Sequence, residues 1–395
     1  MLDTVVLSLD QDQFKITNPD LFQPSARTLL DENGVPRPGA YSVCRQNSTK
    51  SQKRRGFYLP RLTVSRRHCR SEYNLMLKVE FSAPKLLFGN NFEELQDSDL
   101  ELVLATLHES LQRMGVLVEI GVLSTVRVSA IHFSKNTILS DGSMAAYHIG
   151  KLQRLDVSRR LDVSRTTFRN EGHGLSIHAN SYEIAFYDKL TDLAQAKISE
   201  KRSFEKDNSC QMHLLNAREA KTPFEVIRME VRLGKRHKIR EILSKIDCPY
   251  TLNLTGLFSS QLSKKILQYY LEWLRAGENP FAQYAQEDIQ KFITSLAIRA
   301  PELGFAKILQ ICGLRHVLSK MNFRELRALF PKANRRTMAK YQKAIAGLQL
   351  HVRRIGSSDA IQESIKDMKP VRFAQMPEIQ RAILGLRIAE QKEKR

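Results

Sequence analysis

Residues 224–233, with the sequence FEVIRMEVRL, show a clear alternation of apolar and charged side chains. Successive side chains of a β-strand point to opposite faces of a sheet, so the pattern predicts a strand with an apolar face and a polar face. The apolar face consists of Ile227, Met229, Val231 and Leu233, and the other face of Val226, Arg228, Glu230 and Arg232. Such a polar face is either an ordinary set of cross-strand charge pairs or a functional surface.

Alternation of the same kind predicts further strands. In residues 75–81, Leu, Leu, Val and Phe occupy every second position, and Pro84 ends the strand. Residues 174–178 and 182–188 flank a short polar turn and predict a β-hairpin. The other predicted strands are residues 4–9, 116–123 and 125–133.

One helix is well delimited by the residues at its ends. Residues 100–114 carry an apolar stripe at helical spacing. Ser98 and Glu101 have the spacing of a capping box, and Gly115 stands where a left-handed residue commonly ends a helix. These signals predict a helix between the capping box and the glycine.

The 395 residues are too many for one typical domain. Strands and helices alternate as far as residue 256, where the apolar spacing becomes helical. We therefore predict an α+β fold class, in which residues 1–275 form an antiparallel-sheet domain with helices on one face. Residues 281–355 are predicted to form a mainly helical domain, and residues 356–395 a charged tail.

The charge of the chain indicates a polyanionic partner. Lysine and arginine number 62 against 42 aspartates and glutamates, a net charge of +20, which a polyphosphate such as DNA can neutralise. A membrane partner is disfavoured, since no clear basic amphipathic helix and no apolar run of about 20 residues occurs. The start, MLDTVVLSLD, lacks the basic region of a secretory signal. Five cysteines without a CxxC pair indicate reduced thiols, so we expect a cytoplasmic protein.

Two basic regions are candidate DNA-binding elements. Residues 45–72 combine many arginines and lysines with aromatic residues, and are either a solvated loop with strand fragments or a DNA-facing arm. Residues 323–346 have the proportions of a helix-turn-helix, although a helical hairpin with a charged outer face has the same pattern. The candidate DNA contacts in these regions are Arg54, Arg55, Arg335, Arg336 and Lys340.

Three predicted strands carry side chains suited to phosphoryl transfer, namely His132, Tyr187 and Glu230. If they meet on one sheet face, the imidazole and the carboxylate would hold Mg²⁺ or Mn²⁺, which polarises a scissile phosphate. The Tyr187 hydroxyl, with an ordinary pKa of about 10, would attack with help from a base or from Lys189, two residues further along the strand. Taken singly, each of these residues is also an ordinary component of a sheet.

Neighbouring residues are weaker candidates. His173 and His178 lie near the predicted hairpin and are candidate metal ligands or DNA contacts, and Tyr182 is a rival nucleophile predicted to face away from Tyr187. The candidate DNA contacts on the strands themselves are Lys135, Arg228 and Arg232. Neither a His-hydrophobic-His metal motif nor a GxxxxGK[ST] nucleotide-binding loop occurs.

Five sequence blocks occur in the same order and spacing as in a known family, from residue 1 to about residue 245. They are MLDTVVLSL at 1–9, SAPKLLFGNN at 82–91, VSAIHFSKN at 128–136, AFYDK at 185–189 and RMEVR at 228–232. The chain resembles the phage and plasmid replication proteins of the gene II/X family, found in filamentous bacteriophages. The resemblance implies a magnesium-dependent DNA nicking-closing enzyme that opens a replication origin and works with a host helicase and DNA polymerase. It places the covalent tyrosine at Tyr187.

The sequence departs from the family in two places. His132 stands where the family has an aspartate, and residues beyond about 280 have no recognisable counterpart. The leading hypothesis is a rolling-circle replication initiator whose Tyr187 cleaves one strand, leaving a phosphotyrosine and a free 3′-hydroxyl. The alternative is a non-catalytic origin-binding initiator or repressor, which would not need Tyr187. An RNA-binding protein is a weaker hypothesis, because no aromatic RNP-type run and no typical KH loop occurs.

Overall fold

The computed structural model describes most of the regular elements of the chain. Described residues are 1–49, 58–69, 72–139, 143–153, 155, 166–169, 173–192, 225–275, 288–321, 325–326, 329 and 359–372.

Within these residues, nine strands form one sheet in which every neighbouring pair is antiparallel. The eleven described strands, two of which lie outside this sheet, are β1 (Leu2–Asp10), β2 (Lys15–Ile16), β3 (Val43–Gln46), β4 (Arg61–Cys69), β5 (Glu72–Ser82), β6 (Val116–Leu117), β7 (Arg127–Leu139), β8 (Thr166–Arg169), β9 (Gly174–His178), β10 (Tyr182–Asp188) and β11 (Glu225–Leu233). The order in the sheet is β3-β4-β5-β1-β7-β11-β10-β9-β8, and β2 pairs with β6 separately.

The described residues contain ten α-helices. They are α1 (Ala83–Phe88), α2 (Leu100–Arg113), α3 (Ile120–Thr125), α4 (Ala145–Gln153), α5 (Arg236–Lys245), α6 (Leu254–Leu257), α7 (Ser260–Arg275), α8 (Ile289–Arg299), α9 (Phe305–Lys320) and α10 (Asp359–Asp367). Helices α5 and α7 contact β7 and β11, whereas α4 contacts β9 and β10. An antiparallel sheet combined with helices is an α+β fold, as the sequence predicts.

Strand β11 has the two faces that its sequence predicts. On one face Val231 pairs with Phe133 of β7, and Met229 pairs with Phe186 of β10. All four side chains are fully buried. Burial of a side chain of this size stabilises a fold by about 1.5–3 kcal/mol. This apolar face is the one that packs against the helices. The opposite face carries the charged residues of β11.

A β-bulge shapes the start of β1. Leu2 pairs with Phe133 and Val5 with Ile131, so two residues of β1 oppose one residue of β7. Asp3 lies in this bulge, and its buried carboxylate contacts an arginine of β11. The bulge therefore adds a negative charge to the polar side of the sheet.

Some predicted elements are confirmed and others are wrong. The predicted strand at 75–81 lies within β5, and the predicted hairpin is formed by β9 and β10. Of residues 116–123, by contrast, only the first two are a strand, and residues 120–125 form α3. A short run of Val, Ile and Leu does not distinguish a strand from a helix, because both can bury it.

The predicted start of α2 is wrong in detail. A 3₁₀ turn, Asp97–Asp99, precedes the helix, and the backbone N–H of Gln96 donates to Asp99 Oδ2 at 2.6 Å. The capping interaction therefore begins before Ser98. Gly115 is confirmed as the left-handed residue that follows the helix, with a φ of +72°.

Residues 359–372 belong to the main core and do not form a tail. Ile361 and Ile365 of α10 are fully buried in the hydrophobic cluster that includes the sheet and α7. The prediction of a charged tail from residue 356 is wrong for this segment, because the apolar stripe of α10 is buried against β7 and α7. Residues 373–395 lie outside the described residues.

Helices α8 and α9 form a second hydrophobic cluster, which includes Phe292, Leu296 and Ile311. They agree with the helical content predicted for residues 281–355. Most of the candidate helix-turn-helix at 323–346 lies outside the described residues. In the described part of the chain, no helix combines the length and apolar character needed to cross a bilayer.

Gly115 provides a test of the turn between α2 and β6. A Cβ atom at this position would lie 2.7 Å from the Cβ of Asn18, and the residue has a positive φ. We therefore expect Gly115→Ala to lower the free energy of unfolding by about 1–3 kcal/mol in urea titrations. Gly121→Ala is the matched control, since a Cβ atom added there would meet nothing within 4 Å and α3 favours alanine. Equal stability of the two variants would contradict this account of the turn.

Candidate active site

The polar side of three adjacent strands brings the predicted catalytic residues together. Arg232 of β11 pairs with His132 of β7, and Arg228 of β11 pairs with Tyr187 of β10. Glu230 lies between the two arginines on the same face. His132, Tyr187 and Glu230 therefore meet on one face, as the sequence hypothesis requires.

Glu230 is the centre of this cluster, and its side chain is only 4% exposed. Its Oε1 lies 3.5 Å from His132 Nδ1. Its Oε2 accepts hydrogen bonds from Arg232 Nη2 at 2.8 Å and from the Tyr187 hydroxyl at 3.4 Å. Burial opposes ionisation, but Arg232, His132 and Arg228 together hold the pKa of Glu230 well below its ordinary value. Glu230 is therefore an ionised carboxylate at neutral pH.

The two candidate tyrosines are in different environments. Burial and the negative charge of Glu230 raise the pKa of Tyr187 well above its ordinary value, so the resting side chain is a neutral phenol. Tyr182 faces the helices, where its ring centroid lies 5.3 Å from that of Tyr270 and the Lys238 ammonium lies over its ring. The predicted opposite orientation of the two tyrosines is confirmed, and it separates Tyr182 from Glu230.

The two arginines next to Glu230 differ in exposure. The Arg232 side chain is 33% exposed and also contacts Glu183 at 3.1 Å, so it is accessible to an anionic ligand. The Arg228 side chain is 1% exposed and contacts Asp3 Oδ2 at 3.0 Å. The prediction of Arg228 as a direct DNA contact is wrong, because its guanidinium is enclosed and paired. Arg228 acts instead as a fixed positive charge beside the site.

Lys189 reaches the site from a helical turn. Strand β10 ends at Asp188, whose carboxylate accepts backbone N–H bonds from the turn that begins at Lys189. The buried Lys189 ammonium donates to Asn91 Oδ1 and lies 6.0 Å from the centre of the Tyr187 ring. Burial and the charge of Arg228 lower the pKa of Lys189 to about 7. The predicted regular strand at Lys189 is wrong, but its side chain lies close to Tyr187.

The other two candidate histidines lie next to carboxylates. His173 Nδ1 lies 3.1 Å from Asp188 Oδ2, and His178 Nδ1 lies 3.6 Å from Glu183 Oε2. Among the described residues, no group of three or more possible ligands joins either histidine to His132, and their role as metal ligands stays a prediction. Both remain partly exposed, and their contact with DNA stays a prediction.

Lys135 is not a surface residue. Its ammonium contacts Glu94 Oε2 at 2.6 Å, and both side chains are only 2% exposed. Lys135 pairs with Met229 in the sheet, so its side chain lies on the apolar face of β7, opposite to the side chains of Ser134 and Asn136. The prediction of Lys135 as a DNA contact is wrong, because its charge is buried and compensated within the protein.

The basic segment at 45–72 is described in part. Residues 61–69 form the regular strand β4, in which Arg61 contacts Glu80 at 3.7 Å and Arg66 donates to backbone carbonyls of the preceding loop. These arginines lie on a strand hairpin, in agreement with the predicted strand fragments, and their contact with DNA stays a prediction. The remaining candidates, Arg54, Arg55, Arg335, Arg336 and Lys340, lie outside the described residues.

A divalent metal at this site would have two protein ligands. Among the described residues, no group of three or more His, Cys, Asp or Glu side chains is arranged to hold a metal ion. His132 Nδ1 and Glu230 Oε1, 3.5 Å apart, are one imidazole and one carboxylate donor. Magnesium at phosphate sites commonly takes one or two protein ligands and completes its shell with phosphate oxygens and water. The pair fits an ion of this kind in the presence of a phosphate.

Sequence reasoning missed two residues that support the site. Asp3 and Asn91 both contact Arg228, Asp3 through its carboxylate and Asn91 through its backbone carbonyl at 2.9 Å. Both residues lie inside two of the five sequence blocks, those at 1–9 and 82–91. That position was the available signal, but a bulge residue and a turn residue have no periodicity that reveals a long-range partner.

Comparison of the chain with protein-family models, with curated proteins and with solved structures finds no match. The geometry defines a class of site, in which a tyrosine hydroxyl is hydrogen-bonded to a buried, ionised glutamate that has an arginine on each side. Inferences about function therefore depend on this geometry.

The buried Lys189 makes stability depend on pH. Its ordinary pKa of 10.5 falls to about 7 in the folded protein, so between these values the unfolded chain binds more protons. The free energy of unfolding therefore rises with pH across this window. We expect Lys189→Met to be more stable than the wild type at pH 6, and the difference to shrink by up to a few kcal/mol by pH 10 in urea titrations. The exposed Lys78→Met is the control, and parallel pH curves for wild type and Lys189→Met would contradict the prediction.

Proposed function

We propose that the protein is a rolling-circle replication initiator of a phage or plasmid, in which Tyr187 nicks one DNA strand at the origin. The observation that carries the proposal is the hydrogen bond from the Tyr187 hydroxyl to Glu230 Oε2, on a sheet face that also presents the accessible Arg232. This arrangement combines a nucleophile, a proton acceptor and a phosphate-binding cation. The net charge of +20 supports a DNA substrate.

The reaction is a transesterification at phosphorus. The Tyr187 oxygen forms a bond to phosphorus as the bond between phosphorus and the 3′-oxygen breaks, and Glu230 accepts the phenolic proton. The released 3′-oxygen takes a proton from solvent and becomes a primer for a host DNA polymerase, while a host helicase separates the strands. The phosphotyrosine conserves the phosphodiester energy for later rejoining. Such an enzyme would act in the cytoplasm.

Proton transfer requires a change in the charges around Glu230. In the resting site, Arg232 and its neighbours keep the pKa of Glu230 low, which makes the carboxylate a weak base. A bound phosphodiester would compete for the exposed Arg232, and loss of that ion pair would raise the basicity of Glu230. Arg228 lies opposite Tyr187 in the strand pairing and is buried, so it cannot move toward the phosphate as Arg232 does. Its charge therefore stabilises the developing phenolate of Tyr187. Mg²⁺ or Mn²⁺, held by His132 and Glu230, would offset charge on the phosphate oxygens.

Tyr187→Phe tests the nucleophile. The substrate is supercoiled plasmid that carries the DNA flanking the protein's own gene, incubated with purified protein and MgCl₂. We expect the wild type to produce nicked circles with covalently attached protein, and Tyr187→Phe to lower their yield by more than about a thousandfold. Tyr182→Phe is the matched control and should retain wild-type activity, because Tyr182 faces the helices and phenylalanine preserves its contact with Tyr270.

The other outcomes separate the alternative functions. Nicking that survives in Tyr187→Phe and disappears in Tyr182→Phe would assign the nucleophile to Tyr182. Tight binding of the same DNA without nicking by any variant would favour a non-catalytic origin-binding initiator or repressor.

His132→Ala tests the metal ligands. If His132 supplies one of the two protein ligands, its loss should raise the Mg²⁺ or Mn²⁺ concentration for half-maximal nicking by at least about tenfold. DNA affinity, measured by filter binding without metal, should change little. His178→Ala is the control, because the imidazole of His178 lies beside Glu183 and it is not one of the two proposed ligands. An unchanged metal requirement in His132→Ala would remove His132 from the proposed ligand set.

A further inference from the structure

A loop takes the place of a strand next to the far end of β7. Strand β1 begins at Leu2, opposite Phe133, whereas β7 continues to Leu139. Beyond β1, the backbone N–H of Asn136 donates to Glu94 Oε1 at 2.6 Å, and the Asn136 side chain donates to the carbonyl of Phe92 at 2.6 Å. The loop between α1 and α2 is therefore attached to β7 at Asn136.

Glu94 anchors this loop from inside the protein. Its carboxylate accepts hydrogen bonds from the Lys135 ammonium at 2.6 Å, from the Asn136 backbone and from the Val371 backbone N–H at 3.0 Å. Burial opposes its ionisation, but Lys135 lowers the pKa of Glu94 below its ordinary value. An ionised carboxylate so deeply buried is stable only with all its partners, so they are held together.

One of these partners comes from the segment 359–372, which we call the C-terminal strap. The backbone N–H of Glu94 donates to the Val371 carbonyl at 2.9 Å, and Lys135 donates to the Lys369 carbonyl at 2.9 Å. The other end of the strap is α10, which is anchored by the contact of Asp359 with the Arg275 side chain at 3.0 Å. The strap therefore contacts both the loop and β7, and it helps to hold the two together.

The same loop and strand hold the buried arginine of the candidate site. Arg228 Nη1 donates to Asn136 Oδ1 at 3.0 Å and to the Asn91 carbonyl at 2.9 Å. Asn91 Oδ1 also accepts from the Lys189 ammonium. Both contacts of Arg228 Nη1 are thus attached to Glu94, one through the backbone of Asn136 and the other through the loop.

We propose that Glu94 is a positioning residue for Arg228, and that the C-terminal strap is part of the scaffold for strand cleavage but not of the DNA-binding surface. This inference rests on the proposed nicking function. Displacement of Arg228 would remove its charge from the developing phenolate of Tyr187. The exposed Arg232, which contacts Glu183 and Glu230, would remain available to DNA.

Glu94→Gln in the full-length chain is the first test. We expect the single-turnover rate of covalent adduct formation on origin DNA to fall by up to about a hundredfold, because a small displacement of a catalytic charge has effects of this size. The dissociation constant for the same DNA should stay within about twofold. Lys369→Ala is the matched control with wild-type rates, since this exposed side chain lies in the strap but contributes only its backbone carbonyl to Lys135.

Loss of a buried charge could unfold the protein, so a second variant is needed. Asn136→Ala leaves the Glu94–Lys135 pair intact and removes the Oδ1 contact with Arg228. It should lower the adduct rate in the same way, and urea titration identifies any variant that is unfolded. In an Arg228→Gln background, Asn136→Ala should have no additional effect on the rate, whereas a general loss of stability would add to it.

The results distinguish this inference from the proposed function. Absence of adduct with the wild type would overturn both. Adduct formation at wild-type rate by folded Glu94→Gln and Asn136→Ala would overturn only the positioning role. Loss of DNA affinity in parallel with the rate would also overturn it, because the strap would then belong to the binding surface.

Discussion

The negative charge of Glu230 is the feature on which the arrangement of the site depends. A buried carboxylate is costly unless charged and hydrogen-bonding partners surround it. Its partners come from three strands, with His132 on β7, Arg232 on β11 itself and Tyr187 on β10. A shift of one residue in the register would place an apolar side chain of β11 among these groups, so the charge also specifies the register of the three strands.

The local pattern of β11 was sufficient to predict its two faces, because alternation of side chains is a property of the strand alone. The opposite orientation of Tyr182 and Tyr187 followed from the same rule. The position of His132 beside Glu230 could not be predicted in this way. It depends on the order β7-β11-β10, and no periodicity in the sequence specifies which strands are neighbours.

The wrong predictions concern charged residues that are buried. Lys135 and Arg228 were assigned to the surface because lysine and arginine are rarely enclosed. Their partners Glu94 and Asp3 are distant in sequence, Glu94 by 41 residues, and compensation of charge over such a distance leaves no local signal. The strap at 359–372 has no local signal for a similar reason. Some of its contacts with the loop use its backbone groups, and its Arg372 side chain pairs with Asp99, 273 residues away.

The difference in exposure between the two arginines has a consequence for catalysis. In the resting protein, the raised pKa of Tyr187 and the lowered pKa of Glu230 both oppose transfer of the phenolic proton. Under the proposed function, a substrate phosphate would compete for Arg232, which is partly exposed, but not for Arg228, which is 1% exposed and paired with Asp3. Binding of the phosphate would then release Glu230 from one cation while Tyr187 keeps another. In the proposed reaction, the substrate itself would make the tyrosine reactive, and the free protein would remain inert.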